Sequence, residues 1–70
     1  RLADKLIELA KGEGAVATTH QKLSVELGTA REVISRQLQE FQRRGWIELA
    51  RGSVHLLKIA KLEQLARHNT

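Results

Sequence analysis

Gly28 stands between two stretches of helical periodicity and constrains the fold of this chain more than any other residue. Before it, Leu23 and Leu27 repeat at the spacing of one helix face, with Thr19 placed as the N-cap. After it, Ala30, Ile34, Leu38 and Phe41 recur at spacings of four, four and three, an inner stripe for a second helix. Glycine enters positive φ without the Cβ penalty, so the chain can turn sharply within Gly28, Thr29 and Ala30 and resume helix at once. The second helix, from about Arg31 to Arg44, is the longest periodic run in the sequence. Thr29 and Glu32 have the spacing of a capping box at its start. At its end, Arg43 and Arg44 ahead of Gly45 place positive charge at the negative pole of the helix dipole.

The rest of the chain supplies what such a helix pair packs against. Leu2, Leu6, Leu9 and Ala10 form the apolar face of a first helix that ends at the Gly12/Gly14 pair, and Val16-Ala17 is a short strand. Trp46-Ile47-Glu48-Leu49 and Val54-His55-Leu56 alternate apolar with polar around Ala50-Arg51-Gly52-Ser53, which predicts a two-stranded hairpin. A hairpin alone is unstable in water, so Ile47, Leu49, Val54 and Leu56 must pack against the helices, with Trp46 at the hinge beneath them. Lys61 to Arg67 is a last short helix with Leu62, Leu65 and Ala66 turned inward, and His68, Asn69 and Thr70 are expected to fray. Residues 1–70 allow one domain, and a single Trp and a single Phe make its core aliphatic. The order predicts a mostly α fold with a small β-hairpin, a winged helix-turn-helix of three core helices, a wing and a short C-terminal helix.

Twelve Lys and Arg against eight Asp and Glu give a formal charge of +4, which favours polyanionic partners. With no cysteine there is neither a disulfide nor a cysteine-ligated zinc site. His20, His55 and His68 fall on separate elements, no nucleophile has an evident base, and the glycines form no phosphate-cradling loop, so no metal, no catalytic residue and no enzyme is expected. No apolar run approaches the ~20 residues of a membrane span and the start is charged, which points to a cytoplasmic protein with no membrane partner. A start at Arg1 without Met suggests a fragment of something longer.

Opposite the inner stripe, Arg31, Glu32, Ser35, Arg36, Gln39, Gln42 and Arg43 share an arc of roughly 140° on the long helix. The second helix of such a pair presents its first turns to base edges in the major groove, where Arg31, Glu32, Ser35 and Arg36 stand. Arg can donate to O6 and N7 of guanine, and Glu can accept from N4 of cytosine. Phosphate oxygens would be held by Thr19, His20 and Gln21 at the preceding helix start, Thr29 at the turn, Gln39 on the outer face and Arg51 at the wing tip. The alternative is a winged-helix protein-interaction module without DNA contact. Such a module usually exposes an apolar patch on this helix, which here carries arginines and glutamines.

The segment THQKLSVELGTAREVISRQLQEFQRRGWIEL resembles the C-terminal DNA-binding domain of the Crp/Fnr family of bacterial transcription regulators. The resemblance runs from about Arg1 to Arg67 and is most specific at Thr19-His20-Gln21, Gly28, Arg31-Glu32 and Ser35-Arg36. It implies that Arg31, Glu32 and Arg36 read bases, that Ser35 adds a contact, and that Thr19 and Gln21 grip phosphates. Two positions depart from the family pattern. Ser24 replaces the usual Ala or Gly and needs a backbone acceptor, and Ala30 replaces a Ser or Thr whose capping role Thr29 takes over one residue early. The resemblance further implies an N-terminal sensor domain and dimerisation helix outside these residues, a homodimer on a palindromic operator, and RNA polymerase as a further partner. It implies no cofactor in this domain; a cyclic nucleotide or other effector would bind the sensor domain.

Overall fold

A computed structural model describes residues 1–68. The elements are α1 (Leu2–Ala10), β1 (Ala15–Val16), α2 (His20–Leu27), α3 (Arg31–Arg43), β2 (Ile47–Ala50), β3 (Ser53–Leu56) and α4 (Ile59–His68). Leu6, Leu23, Ile34, Leu38, Ile47, Val54 and Leu62 lose essentially all contact with solvent, so all four helices and both hairpin strands send a side chain into one core. Phe41 is buried with them, and Trp46 leans on it with ring centroids 5.8 Å apart. Ala3 adds to the inner face of α1, against which α4 packs.

The turn after α2 follows from Gly28. Its φ of +64° closes a Schellman arrangement in which the Gly28 N–H donates to Val25 and the Thr29 N–H to Ser24. A Cβ at Gly28 would meet nothing within 4 Å, so the position demands the conformation and not the space. α1 ends differently from expectation. Its C-cap is Lys11, at φ 51°, ahead of the glycines; Gly12 takes up positive φ next.

The hairpin is the larger part of a three-stranded antiparallel sheet with the order β1-β3-β2. β1 is Ala15–Val16, one residue earlier than expected, and it pairs Ala15 with His55 and Val16 with Val54. Across the hairpin, Leu49 pairs with Val54 and Ala50 with Ser53, leaving Arg51-Gly52 as the turn, where Gly52 has a φ of +73°. The wing is thereby anchored on both sides of β3. α4 begins at Ile59, two residues before the expected Lys61, where the Lys58 carbonyl accepts from Lys61 and Leu62. Leu62 is buried, with Leu65 and Ala66 partly so. Of the residues expected to fray, His68 closes α4, and Asn69 and Thr70 lie outside the described residues.

Candidate nucleic-acid interface

The long helix is held by its inner stripe and leaves the opposite face in solvent. Ile34, Leu38 and Phe41 are buried as the periodicity requires. Ala30 is not part of that stripe: it is exposed and sits at the N-cap with extended backbone (φ −59°, ψ 141°), before the helix begins to turn. The expected capping box is likewise absent. No side chain caps α3, and the Thr29 hydroxyl reaches back toward the Leu27 carbonyl at 3.4 Å. The start of α3 therefore relies on Ala30's carbonyl, which accepts from Val33 and Ile34, and on Glu32 in the first turn.

On the outer face, Arg31, Glu32, Arg36 and Gln39 are exposed and Ser35 is half-buried. Glu32 and Arg36 meet at 3.5 Å with side chains 83% and 74% exposed, a loose pair that costs little to open. Among the described residues no carboxylate lies within ion-pair reach of Arg31. Ser35 is engaged from the neighbouring helix: its hydroxyl lies 2.8 Å from His20 Nδ1. This bond joins the first residue of α2 to the second turn of α3, so the expected phosphate-gripping start and the expected base-reading face form one continuous surface. Thr19 fixes the α2 end by accepting from the Lys22 N–H, leaving the N–H groups of His20 and Gln21 at positions that have no acceptor within the helix. Ser24 is buried and satisfies its hydroxyl on the Gln21 carbonyl at 2.7 Å, the backbone acceptor it requires.

The far end of α3 serves the fold more than the surface. Glu40 accepts from Arg43 at 2.6 Å and from Arg44 at 2.7 Å, and Arg44 also stacks over Trp46 at 5.2 Å. Hydrogen bonds from Arg43 and then Arg44 lower the Glu40 carboxyl from 4.5 to about 2. Because the folded value is depressed, the contribution is complete above the ordinary carboxylate range and is lost as pH falls from 4.5 toward 2. Glu40→Gln is expected to lower the melting temperature slightly at pH 7, with the gap to the wild type closing at about pH 2. The effect is small because the carboxylate is 41% exposed. A gap of equal size at both pH values would show that charge plays no part.

Gln42, expected on the groove face, instead turns to the wing. Its Oε1 accepts from the Leu49 N–H at 2.7 Å, capping a donor on the edge strand and tying the hairpin to the last turn of α3. Arg51 is exposed at the hairpin turn, on a wing joined to α3 by that bond and by the packing of β2 against the helix. Neither the His20–Ser35 bond nor the Gln42–Leu49 bond was expected from sequence.

A family model described as the Crp-like helix-turn-helix domain matches residues 1–65. The chain belongs to this family. Transcriptional regulator SdrP of Thermus thermophilus is 30% identical over an alignment covering 94% of this chain and 37% of that protein. Among solved structures, a Crp/Fnr-family regulator from Eubacterium rectale superposes with a TM-score of 0.90 at 38% identity, over 96% of this chain and 32% of that one. The catabolite activator protein of Thermus thermophilus superposes at 0.86 with 31% identity, over 99% and 33%. This Crp-like domain thus spans about a third of the length of the relatives it matches, and the first two of these are described as transcriptional regulators. Among the described residues no helix is long and apolar enough to cross a membrane.

Proposed function

We propose that this chain binds double-stranded DNA sequence-specifically, as the output domain of a Crp/Fnr-type transcription regulator working in the bacterial cytoplasm. The observation that carries the reading is the outer face of α3. Arg31, Glu32 and Arg36 project from its first two turns, opposite a buried stripe, and the N-terminus of α2 is bonded to the same face. Set into the major groove, Arg31 and Arg36 select guanines through paired donors, Glu32 selects a cytosine, and Ser35 adds a polar contact. Thr19, His20 and Gln21 hold a phosphate with side chains and helix N–H groups, and Thr29, Gln39 and Arg51 are further phosphate contacts. One such helix reads half a site, so the parent protein is expected to act as a homodimer on a palindromic operator, with half-sites about one helical turn apart. Effector binding and contact with RNA polymerase belong to that larger assembly.

Titration against a random-sequence duplex at two salt concentrations tests the reading, since phosphate neutralisation makes binding weaken steeply with salt. Arg51→Ala is expected to weaken binding to every sequence alike and to lower the salt slope by about one unit. An unchanged slope removes the wing from the contacts. Absent or salt-independent binding by the wild type rejects DNA as the partner and returns the fold to the class of protein-interaction modules.

A further inference from the structure

We propose that His20 is a positioning residue that sets the hydrogen-bonding role of Ser35, and through it the base preferred at one position of the DNA site. The inference rests on the DNA-binding reading and deepens it. Its basis is the 2.8 Å bond between His20 Nδ1 and the Ser35 hydroxyl, with both residues half-buried. The bond is also anchored at both ends. Thr19 caps α2 and holds His20 at its first residue, while Ser35 lies beside the buried Ile34 on α3.

A serine hydroxyl has one hydrogen, so it cannot be given to the imidazole and to a base at once. Where Nδ1 is bare, Ser35 donates to it and presents only lone pairs to the groove, which suits the amino groups of cytosine or adenine. Where Nδ1 carries a proton, in the other tautomer or the imidazolium, His20 donates and the serine hydrogen is released toward O6 or N7 of guanine or O4 of thymine. The residue that touches phosphate thereby also tunes a base contact it does not make. The charged groups around the pair are Lys22 on α2 and Arg31, Glu32 and Arg36 within about a turn of Ser35 on α3; α1 meets α2 through Lys5 and Glu26, well along the helix from His20.

The test uses a duplex selected from a random pool by the wild-type chain, together with its single base-pair variants. His20→Ala is expected to change the preference at one base pair about two- to tenfold, the worth of one hydrogen bond, and to leave that preference unchanged when introduced into Ser35→Ala. His20→Asn, which keeps a polar atom near the place of Nδ1, should retain the coupling. An equal loss on all duplexes in both backgrounds overturns the proposal and leaves His20 a phosphate contact only. Nitrogen-detected spectra of the His20 ring give a readout without DNA: a tautomer balance unaltered by Ser35→Ala also overturns it. Failure of the wild type to bind any duplex overturns both readings, whereas selective binding without coupling overturns this one alone.

Discussion

Leu38→Ala is expected to cost about 2–5 kcal/mol, a large share of the stability a domain of this size has. Leu38 has no solvent exposure and lies on the helix that carries the candidate surface, between Ile34 and Phe41 on the stripe facing the core. Truncation removes the burial free energy of the lost atoms and opens a cavity that the surrounding helices and sheet can only partly fill. The size of the domain makes that loss decisive. At roughly 0.05–0.15 kcal/mol per residue, a chain of 70 residues has about 4–10 kcal/mol in total. No disulfide supplements it. Leu38→Met, which conserves volume, should cost less than about 1.5 kcal/mol. Urea denaturation of the three proteins checks the ordering. A loss below about 1 kcal/mol for Leu38→Ala would mean that α3 is not a centre of the core.

The inner face of α3 was legible because burial imposes a local period, and Ile34, Leu38 and Phe41 obey it. Gly28 was legible for a similar reason: positive φ is a one-residue requirement with a one-residue signature. At the same helix the start at Arg31 came out as expected, and what failed was the reading of the two residues before it. Ala30 continues the apolar spacing backward, yet a cap residue is not helical, so the period does not apply to it. Thr29 has the right chemistry for a cap and stands one residue too early to use it. The C-cap of α1 shows the converse, because Lys11 adopts the left-handed conformation itself, one residue ahead of the glycine that marks the helix end in the sequence. Contacts between distant segments left no local trace. Val16 gives no indication that it will pair with Val54, and Gln42 resembles any solvated helix residue until the edge of β2 is brought beside it. The His20–Ser35 bond is of this kind, and so the surface was legible as a set of residues but not as a connected one.

On the DNA-binding reading, Arg36→Ala should reduce affinity for a selected duplex by about 1–3 kcal/mol, roughly 5- to 150-fold, and flatten the preference at one base pair. The free protein should not notice. Arg36 is 74% exposed and its only ion pair among the described residues is the loose one with Glu32, so the stability is expected to stay within about 0.5 kcal/mol of the wild type. That separation makes the experiment clean, since a change in binding cannot then be a change in folding. Arg36→Lys distinguishes charge from geometry: it preserves the attraction to phosphate but lacks the planar fork, so affinity for random duplex should return while the base preference does not. Glu32 strengthens the argument. A surface built for electrostatic attraction alone gains nothing from a carboxylate between two arginines, whereas a base-reading surface uses one to reject sequences that cannot donate to it. Binding curves on the selected duplex and its single base-pair variants decide the matter. If Arg36→Ala weakened every duplex by the same factor, its role would be that of a phosphate contact, and the base-reading assignment for the second turn of α3 would be lost with it.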